Sequence, residues 1–237
     1  MHDFAIIYGA RTLLKAVIFD LDGVIVKFNL DSRRIKEEVI NFFVGNGMPE
    51  GFLSPDQPFS KIKERVREVL LKDDKDKNFV EELIRKAEVI PVNHEVKAAN
   101  ETQLLPGVIE TLMALKSMGL KLAIFTYNNS KAADIALCKN GISGYFSVIV
   151  TRDMVDRPKP NPIHLEIVLK ALGVEKDEAL VVGDSEMDIR PSKDLGVKVV
   201  ALATGIRTAE ELRSHNPDYL ITNMSDLIGV VAAFKAK

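Results

Sequence analysis

The sequence predicts an α/β fold, a doubly wound parallel sheet that carries a second, smaller α-helical domain. Two observations predict it. Short and nearly continuous apolar runs, each closed by a polar residue, recur with helical patterns between them, as buried parallel strands do. One long stretch, residues 29–100, breaks that rhythm with amphipathic helices and no convincing strand.

The first run is Lys15-Ala-Val-Ile-Phe-Asp20, closed by an acid and a turn at Gly23. Four more follow: Lys121 to Thr126, Tyr145 to Val150, Ala179 to Asp184 and Val197 to Leu202. Val108, Leu112 and Leu115 mark one face of a helix before the second run, and Ile135 with its preceding alanines marks one after it. Asn161-Pro162 has the form of an N-cap followed by proline at the first helical position, opening a helix with Ile163, Ile167 and Leu172. Thr208 and Glu211 are spaced as a capping box. The interrupting stretch carries three stripes: Ile35, Val39, Phe42 and Phe43; Ile62, Val66, Val69 and Leu70; and Phe79, Val80, Leu83, Ile84 and Ala87. We therefore expect a core of residues 1–28 with 101–237, and an inserted helical domain over 29–100.

The chain has 237 residues, 46% hydrophobic and 28% charged, which suits a globular protein with a sizeable core. Its net charge of −2 offers no electrostatic case for nucleic acid or an anionic membrane as partner. Cys138 is the single cysteine, so an intrachain disulfide and a multi-thiolate zinc site are excluded and a cytoplasmic location is expected. Phe4 to Ala10 is too short to span a bilayer and lacks the form of a signal peptide, leaving an extra strand or an ordered tail. Nothing in the sequence assigns an oligomeric state.

In a doubly wound sheet, ligands bind beyond the carboxyl ends of the strands. Those ends carry Asp20 and Asp22, then Thr126, then Asp184 with Asp188 one helical turn beyond it. Lys159 sits in the loop after the third run, between two prolines. Taken singly, each has an ordinary explanation as a turn, a cap or a solvated charge. As a set they do not. Clustered carboxylates repel by roughly 4 kcal/mol at ~4 Å and an effective dielectric of 20, so they call for cations. An all-oxygen donor set suits magnesium, Lys159 adds a second positive charge, and phosphoryl transfer is the chemistry such a site performs.

These residues resemble the haloacid dehalogenase-like (HAD) superfamily of phosphohydrolases, in particular the phosphoglycolate phosphatase-like members with a helical cap inserted after the first strand. Phe19-Asp-Leu-Asp-Gly-Val24 resembles the first motif, Thr126 the second, Lys159 the third and Gly183-Asp-Ser-Glu-Met-Asp188 the fourth. The resemblance implies a Rossmann-like core and hydrolysis of a small phosphorylated metabolite. It assigns Asp20 as nucleophile forming an aspartyl-phosphate and Asp22 as acid and base. Thr126, the backbone N–H at Tyr127 and Lys159 would bind phosphate. Mg2+ would be held by Asp20, the main-chain carbonyl of Asp22, and Asp184, with Asp188 binding through water or steadying Lys159.

Two departures stand out. Val26-Lys27-Phe28 replaces the acid and hydroxyl that related hydrolases and mutases carry after the first motif, and Tyr127 intervenes between Thr126 and Asn128. Both warn against borrowing phosphoglycolate or a sugar phosphate as substrate. Transfer to a second hydroxyl, as in a phosphomutase, and a catalytically idle binding protein are the competing readings. In the inserted domain Arg33, Arg34, Lys61, Lys63 and Arg65 are either an anion-binding lip or a solvated helical face.

Overall fold

The computed structural model describes residues 13–27 and 30–236, so the apolar stretch Phe4 to Ala10 and the expected boundary at Phe28 and Asn29 lie outside the described residues. The chain divides into two units, Met1–Phe28 with Gln103–Lys237, and Asn29–Thr102. In the first unit, β1 (Ala16–Phe19), β2 (Lys121–Phe125), β3 (Val148–Val150), β4 (Ala179–Gly183), β5 (Lys198–Leu202) and β6 (Tyr219–Ile221) form one sheet. Its order is β3-β2-β1-β4-β5-β6, every pair parallel. All four residues of β1 are fully buried, so both faces of the strand are covered, as double winding requires. Strand order reverses between β1 and β4, which places a topological switch point beside Asp20 and Asp184. Phe19 is in register with Ile124 on one side and Val182 on the other, so the three strands end at nearly one level.

The second unit is built from α1 (Ser32–Gly45), α2 (Phe59–Lys72), α3 (Lys77–Ala87) and α4 (Val89–Glu101). Asp31 and Asp76 cap α1 and α3, accepting from the backbone N–H groups of Arg34 and Phe79. The three sequence stripes converge on a core of their own that includes Val39, Phe43, Ile62, Val66, Leu70, Val80 and Leu83. Two stripe residues stand outside it: Ile35 is buried but not part of that cluster, and Phe79 lies 46% exposed, off the buried face of α3. The fourth helix, α4, is not marked by any stripe: it tolerates Pro91 because the residue lies in the first turn, and its buried residues are Glu95 and Ala99.

In the first unit α5 (Val108–Ser117) and α6 (Ser130–Lys139) flank β2 in sequence, followed by α7 (Pro162–Leu172), α8 (Glu186–Leu195), α9 (Ala209–Ser214) and α10 (Asp226–Ala236). Leu165, Val168, Leu169 and Leu172 of α7 and Ile189 of α8 pack with Ile18, Ala123, Phe125 and Val181 of the sheet. Fully burying a side chain of this size contributes about 1.5–3 kcal/mol. Asn161 caps α7 with Pro162 at its first position, and Thr208 and Glu211 form the reciprocal capping box of α9, both as the sequence predicts. The face of α7 differs from expectation: Ile163 and Ile167 are 36% and 37% exposed. Among the described residues, no helix is long and apolar enough to cross a membrane.

Candidate active site

Asp20 follows the last residue of β1, and its backbone N–H donates to Val182 O at 2.9 Å, which locks the residue to the end of β4. Its Oδ1 accepts from Leu21 N at 2.7 Å and lies 2.7 Å from Lys159 Nζ. Lys159 comes from the loop between β3 and α7 and is 2% exposed. Its ammonium also donates to Asp188 Oδ1 at 2.6 Å and Phe125 O at 3.1 Å, so three acceptors meet its three hydrogens. Asp188 sits in the first turn of α8, with Oδ2 accepting from Ser185 Oγ at 2.8 Å. Lys159 therefore crosses from one strand end to another helix start as the bridge between two carboxylates.

Asp20, Asp184 and Asp188 are all buried, and one oxygen of each lies within 4.8 Å of the others. Asp22 is not part of that carboxylate cluster. Its Oδ2 instead accepts from Asn128 Nδ2 at 2.8 Å, so the crowded group is three acids and not the four expected. Burial first, and then repulsion from Asp188 and Asp184, hold the Asp20 carboxyl above the ordinary aspartate range against the pull of Lys159. Burial and then Asp188 push Asp184 the same way. Burial opposes the charge on Lys159, yet Asp188 and Asp20 more than offset it and raise its pKa. Three buried acids against one ammonium leave an uncompensated negative charge when ionised. The donor set is entirely oxygen. Both features fit a divalent cation.

Close backbone approach shapes the same spot. Gly23 has φ +75°, and a Cβ there or at Gly205 would overlap the Asp184 carboxylate. Thr204 Oγ1 donates to Gly23 O at 2.6 Å, tying the loop after β5 to the turn that carries Asp22. Thr126 is buried at the end of β2, where its Oγ1 accepts from Asn128 N at 3.1 Å. Tyr127 is 43% exposed; its carbonyl accepts from Arg152 Nη1 at 2.7 Å, with that guanidinium 5.6 Å from its ring centroid.

Thr204, Gly205 and His164 went unmarked at the sequence level, and Asn128 and Ser185 were named only as part of motifs, without these contacts. Thr204-Gly205, one residue past the end of β5, was a readable signal for a close approach. The basic residues of the second unit pair within it: Arg33 with Glu37 and Asp56, Arg34 with Glu38, Lys61 with Glu64, Lys63 with Glu88 and Arg65 with Glu68. That pattern is a solvated, ion-paired helical face.

Residues 17–202 match the model of a family described as haloacid dehalogenase-like hydrolase. The chain belongs to that family. Pyrophosphatase PpaX of Bacillus cereus (strain AH820) is 30% identical over 232 residues, covering 92% of this chain and 97% of that one. PpaX of Halalkalibacterium halodurans is 40% identical over 125 residues, and the match spans 58% of its length. In the B. velezensis protein the match spans 57%. Among solved structures, an HAD phosphatase from Thermococcus onnurineus is 28% identical with a TM-score of 0.59, over 92% of this chain and 98% of that one. A protein described as a predicted phosphoglycolate phosphatase from Haemophilus somnus 129pt has a TM-score of 0.63 over 92% of this chain and 97% of its own, at 23% identity, and shares the fold. The chain is thus haloacid dehalogenase-like by family, and the proteins it is similar to are described as pyrophosphatases and phosphatases.

Proposed function

We propose that the chain is a magnesium-dependent phosphatase that hydrolyses a small phosphate monoester through an aspartyl-phosphate on Asp20. The observation that carries this reading is the buried Asp20–Lys159–Asp188 bridge beside Asp184, at the switch point of the sheet. Asp20, Asp184 and the main-chain carbonyl of Asp22 are the groups that would hold magnesium. When bound, the ion supplies positive charge to offset that of the carboxylates and of the phosphate oxygens.

Asp20 attacks phosphorus with one carboxylate oxygen while Oδ1 is steadied by Lys159 and Leu21 N. The bond from phosphorus to the leaving oxygen breaks, and Asp22 gives that oxygen its proton. Asn128 Nδ2 donates to Oδ2 of Asp22 and so helps to orient the carboxyl that carries the proton. Water then attacks phosphorus, its proton goes to Asp22, and phosphate leaves the restored Asp20 carboxylate. Thr126 and the N–H at Tyr127 are the phosphate contacts. Asp188 acts by holding Lys159, since both of its oxygens are engaged by Lys159 and Ser185. Residues 29–102 serve as the cap that selects substrate.

The relatives favour a second substrate for the same chemistry, inorganic pyrophosphate, because the B. cereus protein carrying that activity in its name matches nearly end to end. The test is phosphate release from p-nitrophenyl phosphate, a panel of small esters and pyrophosphate, with and without chelator. Magnesium-dependent turnover that Asp20→Asn abolishes is the expected result. Wild-type rates in Asp20→Asn would remove the nucleophile assignment.

A further inference from the structure

We infer that His164 is the positioning residue for Lys159, a buried imidazole that clamps the lysine main chain to the end of β3. The inference rests on the reading of Lys159 as part of the catalytic site. With three acceptors around one ammonium, the side chain of Lys159 has no spare geometry. A shift at its Cα would break at least one of those bonds, and misplacement by ~1 Å can cost a site about a hundredfold in rate. Yet Lys159 lies in a loop, outside any helix or strand.

His164 supplies the missing restraint. Lys159 N donates to His164 Nδ1 at 3.1 Å, and His164 Nε2 lies 3.2 Å from Val150 O. One tautomer satisfies both partners, with the proton on Nε2, and this assignment follows from the two bonds. The ring stands edge-on to Phe125 at 4.6 Å between centroids, and the Lys159 ammonium lies 4.8 Å from the centroid of the same Phe125 ring. The imidazole is wholly buried and so touches the loop, β3 and β2 together. Burial lowers its pKa to about 4, the Lys159 charge adds to that effect, and Asp188 opposes it. A neutral ring is what an acceptor at Nδ1 requires.

The test compares full-length wild type with His164→Phe, His164→Asn and His164→Gln. Phenylalanine keeps the ring but neither bond. Asparagine restores an acceptor near the place of Nδ1, and glutamine places its amide near that of Nε2. With p-nitrophenyl phosphate and magnesium, His164→Phe should lose about ten- to a hundredfold in kcat with KM within about twofold. His164→Asn should recover most of that loss, and His164→Gln should not. Wild-type kcat in His164→Phe, or equal rates in the Asn and Gln variants, overturns the inference. Should the Phe variant fail to fold, the Asn–Gln comparison still decides. Amide exchange at Lys159 separates this idea from the functional reading. Strong protection in wild type that is lost in His164→Phe supports the clamp even if no ester is hydrolysed, and an unprotected Lys159 amide in wild type overturns it.

Discussion

Lys159 and Asn128 show how single side chains at this site are coupled to acids. Lys159 neutralises part of a buried negative cluster, so Lys159→Ala leaves Asp20 and Asp188 together in the interior without their cation. Breaking a buried pair from one side typically costs about 3–5 kcal/mol. The variant should therefore be inactive and also unfold at clearly lower denaturant concentration at neutral pH without metal. A midpoint equal to wild type would show that the bridge contributes nothing to the fold. Asn128 acts on a different step. Its amide fixes Asp22 Oδ2, so Asn128→Ala should let the acid rotate and lower kcat about tenfold with KM little changed. Rapid-mixing kinetics would locate the loss; an unaltered kcat means that Asp22 is oriented by other contacts.

The elements explain why these residues meet and why only part of the arrangement was readable in advance. Runs such as Ala16–Phe19 and Ala179–Gly183 are apolar at every position because both faces of the sheet are covered, and that pattern is visible in sequence. β6 was missed because Tyr219–Ile221 is three residues long and pairs on one side only, at the sheet edge. α4 was missed because a proline and a buried glutamate hide its apolar face. Ile163 and Ile167 were misread because α7 turns Leu165, Val168 and Leu169 inward, leaving part of its apolar surface exposed. The motif acids and Lys159 could be named because they fall at strand ends or in the facing loop. The roles of Asn128 and His164 could not, since they depend on which groups the fold brings beside them: Asp22, 106 residues from Asn128, and the Lys159 N–H and Val150 carbonyl on either side of the His164 ring. The loop after β5 offers the sharpest test at this scale. Gly205→Ala would drive a methyl into Asp184, so metal affinity and activity should fall at least tenfold while the sheet core is retained. Titrating activity against magnesium would detect it; an unshifted curve would show that the loop can yield.

Stability of the whole molecule must also respond to pH through the same interior. His164 is buried neutral, with its pKa lowered to about 4 from an ordinary value near 6.5. In the unfolded chain the ring takes up a proton as pH falls below about 6.5, while the folded chain does not until about 4. The unfolded state therefore binds more protons across that window, and the contribution of His164 to stability declines as pH drops through it. Above about 6.5 that contribution is fully present, and by pH 4 about 2–3 kcal/mol of it should be gone. Asp20 and Asp184 work in the opposite sense, because raised pKa values mean that the folded chain holds protons on these acids that the unfolded chain has lost, which relieves a buried charge as pH falls. The two effects overlap in wild type, so the histidine contribution is read from a difference. Urea unfolding of wild type and His164→Asn, both without metal, should give a stability gap that narrows steadily from pH 7 to pH 4.5. A gap constant over that range would mean that the folded imidazole takes up its proton at the ordinary pH, which its role as acceptor at Nδ1 does not allow.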